Sequence, residues 1–262
     1  MATDLVKAFL QPFYPQICAN CGEISVEPLC SKCIGRIKKI EKLSCRFCGA
    51  FENPGLCTDK NVISYEYDEK EITGKKIKNI LCSSCAESDW SFYRLRSYGI
   101  YEGVLKKAII KYKYNKIENL AKVFAEFLSE VFFEHYKNEK IDFIETVSDY
   151  NLDSVIFFNS SDFLKDHMKI IARNLSDNLK LPYKDNIIKI RKTFRQQKMG
   201  YFERKINIKG AFKLRNPLIA ENKNVLLIDD VWTTGSTLNE LSKVFKDCGA
   251  GKIYLLTLAR GF

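Results

Sequence analysis

No run of apolar residues in this chain approaches the length of a membrane span, and its first residues carry no basic-then-apolar export pattern. The expectation is a cytoplasmic protein with no membrane insertion. Residues 1–90 offer no long segment of helical or strand periodicity, which argues against a large regular core there. No internal repeat is evident apart from a set of cysteine pairs. Between Ile141 and Leu164 there is no Lys, Arg or His, while Asp142, Glu145, Asp149, Asp153 and Asp162 all fall there. Such a stretch repels a polyanion instead of gripping it.

What is present suits a soluble globular chain: 46% hydrophobic and 28% charged residues over 262 positions, enough for a medium domain and a smaller one. Ten cysteines are the strongest compositional feature, and eight of them form four C-x-x-C pairs. That pattern suits metal thiolate ligation in a reducing compartment better than disulfides. Cys18-x-x-Cys21 and Cys30-x-x-Cys33 are eight residues apart, whereas Cys45-x-x-Cys48 and Cys82-x-x-Cys85 are separated by 33. Two pairs complete a closed tetrahedral site for structural Zn²⁺, and Gly22 and Gly49 directly follow two of them, as a tight knuckle favours. Sequential pairing is the simplest assignment, with an interleaved one as the alternative. A thioredoxin-like redox role is the other reading for any single pair. Cys57 and Cys248 lie outside the pattern, one a loop thiol and the other a helix thiol.

From about Ser91 short apolar strands alternate with helices. Strands are expected at Leu95–Tyr101, Ile141–Val147, Ile187–Ile190, Val225–Ile228 and Lys252–Leu258. Helices are expected at Gly103–Tyr114, Ile117–Tyr136, Phe163–Leu179 and Ser236–Cys248. The alternation predicts a mainly parallel α/β sheet with helices on both faces over residues 91–262, behind a cysteine-rich zinc-binding module at 1–90.

The segment Val225-Leu226-Leu227-Ile228-Asp229-Asp230-Val231-Trp232-Thr233-Thr234-Gly235-Ser236-Thr237-Leu238 carries the most chemistry. Four aliphatic residues make a buried strand, and two carboxylates follow at its carboxyl end, where open parallel sheets hold ligands. A run of small hydroxyl residues around Gly235 then opens a helix, whose unpaired N–H groups and dipole attract a phosphate. Thr233, Thr234, Ser236 and Thr237 add hydroxyl donors, and Asp229 and Asp230 suit sugar hydroxyls. A turn with a plain helix cap is the bland alternative. Two adjacent acids at a buried strand are costly, however, unless something uses them.

This segment resembles the phosphoribosyl-pyrophosphate signature of type I phosphoribosyltransferases. The resemblance implies that the acidic pair holds the ribose 2′ and 3′ hydroxyls and that the Thr/Gly loop holds the 5′-phosphate. Cysteine pairs ahead of such a signature resemble the ComF family of competence-associated, phosphoribosyltransferase-like proteins. Tyr101-Glu102-Gly103 with Ile109 to Lys113 resembles a family segment, as do Arg195-Gln196-Gln197, Glu203-Arg204, Asn207 and Gly210-Ala211-Phe212. The ending Leu256 to Gly261 also fits. The family's usual basic run after the first core strand has no counterpart in Ile141–Leu164; only His167 matches its last position, with a surface helix residue as the alternative.

The net charge of +10 is concentrated: residues 187–215 hold ten basic residues against one acidic. Phe194, Tyr201, Phe202 and Phe212 are interleaved there, a pattern that suits single-stranded DNA through phosphate tracking and base stacking. A solvated basic face is the bland alternative, with Phe212 in the core.

Three functions follow from these residues and the resemblance. The first is a ComF-type protein of DNA uptake that binds phosphoribosyl pyrophosphate or ribose 5-phosphate, and single-stranded DNA. The second is an active phosphoribosyltransferase using Mg²⁺, with Asp229 and Asp230 orienting the ribose and Lys111, Lys113, Arg195 or Lys198 closing over the pyrophosphate. The third is a ligand-sensing regulator that meets proteins of the competence machinery through its zinc module. The missing basic run weighs against turnover, because a departing pyrophosphate must be held.

Overall fold

The computed structural model describes residues 16–40, 45, 47–50, 82, 85, 89–115, 117–146, 167–191 and 207–261. A short helix α1 (Ser31–Ile34) lies in the cysteine-rich part. The remainder runs β1 (Arg94–Ile100), α2 (Gly103–Asn115), α3 (Leu120–His135), β2 (Phe143–Thr146), α4 (His167–Leu179), β3 (Ile187–Lys189) and β4 (Phe212–Leu214). A 3-10 turn (Pro217–Ile219) precedes β5 (Val225–Trp232), α5 (Ser236–Asp247) and β6 (Ile253–Arg260). No helix among the described residues is long and apolar enough to cross a membrane.

Strands β1, β6, β5 and β2 form one sheet in that order, every neighbouring pair parallel. Its central strands are apolar on both faces, as a sheet covered on both sides requires. Leu226 and Ile228 of β5, with Tyr254, Leu256 and Leu258 of β6, pack into a core with α2, α3 and α4. Val225 and Leu227, with Ile253 and Leu255, pack the other way, against α5 and the β3–β4 pair. The two-residue alternation thus splits one apolar run between two cores.

The strand expected at Ile187–Ile190 forms as Ile187–Lys189 and pairs antiparallel with Phe212–Leu214 in a separate two-stranded sheet. A strand this short does not carry its partner in its own sequence. The final strands are also longer than their aliphatic runs: β5 continues through Asp229 and Asp230 to Trp232, because β6 pairs with it as far as Trp232–Arg260.

Both sheet edges are covered, which removes open ladders. At β1, Ile40 N donates to Tyr98 O (3.1 Å) and Ile100 N to Lys38 O (3.0 Å). At β2, Ile144 N donates to Pro182 O (2.9 Å) and Lys184 N to Ile144 O (3.2 Å). The cysteine-rich part is built into the same cores. Cys18 and Cys33 join the α2–α3 side, and Cys45 and Cys48 join the α5 side.

Candidate functional site

The helix after β2 packs on one face of the sheet and the helix after β5 on the other. The carboxyl ends of these neighbouring strands therefore part, and the crevice between them is where such sheets take ligands. Among the described residues β2 pairs with β5 from Phe143–Val225 to Thr146–Ile228, and Asp229 and Asp230 follow directly on β5. Asp230 is buried and Asp229 half-buried. The Asp229 carboxylate accepts from Asp230 N (2.8 Å), and Asp230 is ion-paired with Lys113 of α2.

The turn that follows is shaped by Gly235. It sits at φ +71° and ψ 0°, the left-handed region, as the N-cap of α5. A Cβ there would lie 2.2 Å from Cη2 of the buried Trp232, so both conformation and space demand glycine. Thr234 Oγ1 and Ser236 Oγ lie 3.0 Å apart, and Ser236 N donates to Thr234 Oγ1 (3.4 Å). The N-cap Gly235 brings no side chain to α5, and Thr234 Oγ1 meets only its first N–H. The N–H groups of the first turn of α5 and the hydroxyls of residues 233–237 follow the acid pair directly, at the carboxyl end of β5.

Two further groups reach this end of the sheet. Lys113 carries its charge to Asp230, and Tyr101 stands close by. Burial raises the Tyr101 hydroxyl above its ordinary value, Lys113 opposes this and Asp230 adds to it. Lys111 does not reach the site; its ammonium is bound to Ala19 O in the first cysteine knuckle. Two residues apart on α2, the two side chains leave the helix on roughly opposite sides, a distinction that K-Y-K in sequence does not make.

Of the acids between Ile141 and Leu164, the two described ones serve structure. Asp142 accepts from Asn224 N (2.8 Å) at the amino end of the sheet. Glu145 is fully buried and accepts twice from Asn186 N (2.9 and 3.1 Å). Burial pushes the Glu145 carboxyl up to about 8, against the lowering effect of that backbone donor. Asp149, Asp153 and Asp162 lie outside the described residues, as do Cys57 and residues 192–206 with most of the basic stretch. His167 begins α4; its carbonyl accepts from Tyr112 Oη (2.7 Å) and its ring packs on Tyr112 at 5.2 Å. At one end of the basic stretch Arg191 is held by Asn207 O and Lys209 O, both 2.8 Å. Phe212 is buried in the core.

The eight paired cysteines gather into two tetrads, Cys18, Cys21, Cys30, Cys33 and Cys45, Cys48, Cys82, Cys85, with each set of sulfurs within 4.8 Å of one another. This is the sequential pairing. Four sulfurs about 2.3 Å from a tetrahedral Zn²⁺ stand about 3.8 Å apart. Cys21 and Cys30 are 3.8 Å apart, and Cys48 and Cys82 are 3.7 Å apart, so the donor set and spacing fit that ion. Backbone N–H groups point at the sulfurs, from Cys30 to Cys18 (3.3 Å) and from Cys48 to Cys45 (3.4 Å). Gly22 and Gly49 close the two knuckles at positive φ. Within the second tetrad the Cys48, Cys82 and Cys85 thiols hold Cys45 far toward the thiolate. Cys248 lies apart, at the C-cap of α5.

Residues 169–261 match the phosphoribosyl transferase domain family. With the parallel sheet and its two helical layers, this gives the α/β part the type I phosphoribosyltransferase fold. Competence protein F of Haemophilus influenzae is 38% identical over 96 residues, 35% of this chain and 41% of that protein. DNA utilization protein YhgH of Salmonella typhi is 34% identical over 74 residues, 28% of this chain and 32% of that protein. The matched stretches thus span less than half of these relatives' own length. Among solved structures, glutamine phosphoribosylpyrophosphate amidotransferase from B. subtilis has a TM-score of 0.33 at 17% identity, over 53% of this chain and 25% of that one. A hypoxanthine phosphoribosyltransferase from Staphylococcus aureus has a TM-score of 0.30 at 14% identity, over 55% of this chain and 64% of that one. Likenesses at these scores carry no weight for the site.

Proposed function

We propose that this chain, a member of the ComF family, is a cytoplasmic protein of DNA uptake that holds a ribose 5-phosphate group at the Asp229–Thr237 turn and binds single-stranded DNA. The observation that carries the ligand reading is Gly235. Its left-handed backbone, pressed on Trp232, opens α5 without a side chain at the N-cap, directly after the largely buried acid pair, which favours an anion at the helix start. The Thr233, Thr234, Ser236 and Thr237 segment would take the 5′-phosphate, and Asp229 and Asp230 the ribose hydroxyls. Lys113 already neutralises part of the acid pair, which lowers the cost of burying it.

The polymer reading draws on the ten-to-one basic excess of residues 187–215 and on the names of the relatives. Structural Zn²⁺ in both tetrads belongs to the same proposal, as does the division at about residue 90 between the cysteine-rich module and the transferase-like domain. Mg²⁺ would enter only together with a pyrophosphorylated sugar.

The absent basic run between Ile141 and Leu164 favours binding over turnover. In a full transferase site the pyrophosphate adds several charge-assisted bonds, each worth about 1.5–3 kcal/mol. Two of them separate the ligands by about a hundredfold or more. Here ribose 5-phosphate and phosphoribosyl pyrophosphate should bind within about tenfold of one another. Calorimetric titration of both, with and without Mg²⁺, is the test. A large preference for the pyrophosphorylated sugar would put the transferase reading ahead, with Lys113 as the group that replaces the missing wall.

A further inference from the structure

Both tryptophans of the chain sit in one aromatic cluster behind the phosphate turn. The cluster starts inside the second cysteine knuckle, where Phe47 lies between Cys45 and Cys48 and stacks on Phe92 at 4.6 Å between ring centroids. Phe92 meets Trp232 edge-on at 5.6 Å, and Trp90 lies 5.4 Å from each of them. Trp232 fills the space beside Gly235 that a Cβ would need. The rings therefore run without a gap from a metal-ligating knuckle to the residue that shapes the phosphate turn.

Hydrogen bonds follow the same course. Leu95 N donates to Phe47 O (2.9 Å), and Arg260, which pairs with Trp232 across the sheet, donates to Cys48 O (2.8 Å). On the far side of the tetrad, the chain shortly after Cys85 is tied to the first turn of α5. Ser91 N donates to Asn239 Oδ1 (2.8 Å), and Asn239 Nδ2 donates to Asp89 O (3.4 Å). Both chain segments that a metal at this tetrad would clamp are thus fastened to the turn, one through Trp232 and one through α5. The first tetrad packs on the opposite face of the sheet, against α2 and α3.

Resting on the phosphate-binding reading and on Zn²⁺ in both tetrads, we infer that the metal held by Cys45, Cys48, Cys82 and Cys85 positions the phosphate turn through Phe47, Phe92 and Trp232. Zn²⁺ at this tetrad and phosphate at the turn are then linked, and the first tetrad is not part of that linkage. Without the ion, four thiols no longer join residues 45–48 to residues 82–85. Phe47 loses its anchor, the rings behind Gly235 loosen, and the turn must be ordered by the ligand itself. Linkage is reciprocal, so a ligand at the turn must retain the metal by the factor with which the metal improves ligand binding.

The test uses the full chain loaded with Zn²⁺. Loss of the ion to a chelator is followed with and without saturating D-ribose 5-phosphate, together with tryptophan emission. Two phases are expected, one per tetrad, and Cys21→Ser removes the first tetrad's phase and so assigns the other. Ribose 5-phosphate should slow only the second tetrad's phase, by about fivefold or more, within the usual range of coupling between sites. Tryptophan emission should change in that phase alone. Phe92→Leu keeps all eight ligands but breaks the ring contact, and should cut the slowing to under about twofold, with Phe92→Tyr restoring it. Equal slowing of both phases, or of neither while calorimetry shows ribose 5-phosphate bound, overturns the linkage and leaves the phosphate site standing. Absence of ribose 5-phosphate binding to the intact protein overturns both.

Discussion

Lys113 reaches from α2 to the carboxylate of Asp230 on β5, joining the helix after the first strand to the acid pair ahead of the Gly235 turn. The pair is only partly exposed, so it lies between a surface bridge and a buried one. Lys113→Met and Asp230→Asn should each destabilise the fold, and the double variant should lose less than the sum, with a coupling of about 1 kcal/mol. Urea unfolding of the four proteins measures this. Additive losses would show that the pair contributes nothing to stability.

Gly235→Ala should both destabilise the protein and abolish ribose 5-phosphate binding. The left-handed backbone costs about 1–2 kcal/mol for any residue with a Cβ. The new methyl must also push aside the Trp232 ring, 2.2 Å from where it would sit. Adding Trp232→Leu should recover part of the stability by making room, while the backbone cost remains. Thermal melts of the single and double variants, with a ligand titration of each, separate the two contributions.

Glu145 predicts a pH dependence. Burial raises its carboxyl in the folded protein to about 8, well above its ordinary value of 4.5. The folded state therefore keeps a proton that the unfolded state releases, and the stability gained is fully present at about pH 4 and below. It is lost as pH rises from there through 8, at up to about 1.4 kcal/mol per pH unit. Glu145→Gln keeps an acceptor for Asn186 N and should flatten this slope. Chemical unfolding at several pH values compares the two, and parallel curves would exclude Glu145 as the source.

Purified protein kept reduced should contain two zinc ions per chain, one for each cysteine tetrad. Structural zinc contributes about 10–16 kcal/mol of apparent binding energy in small peptides, so a chelator should unfold the cysteine-rich part. Metal analysis decides the count, and a content near zero would remove the structural role.

Binding of single-stranded DNA should show little sequence preference and a steep dependence on salt. If about six charges of residues 187–215 touch phosphates, log affinity falls against log salt with a slope of about −4. Arg191 is engaged by Asn207 O and Lys209 O, so the informative substitutions are Lys192, Arg195 and Lys198 to Ala. These should flatten the slope by about two units. An unchanged slope would place the footprint elsewhere on the chain.

By itself the sequence determined everything written in contiguous residues. The four C-x-x-C pairs, the apolar β5 run, the acid pair and the Thr-Thr-Gly-Ser turn each stand in local spacing; the cysteine pairs gather into two tetrads, and α5 opens at Gly235 after β5. Tertiary structure alone decided which elements meet. Ile187–Lys189 pairs with Phe212–Leu214 outside the main sheet, since a short strand's partner depends on packing at the sheet's flank. Lys113 reached the acid pair while Lys111, two residues earlier, turned to the first knuckle, because the direction of a helical side chain matters only once the helix is docked. Trp232 reads in sequence as one more apolar residue. Its place against Gly235, at the end of a row of rings that begins with Phe47 in the second cysteine knuckle, exists only where Phe47, Phe92 and Trp232 pack together. Contacts between residues so far apart in the chain leave no periodic trace, since only the assembled sheet brings them within reach.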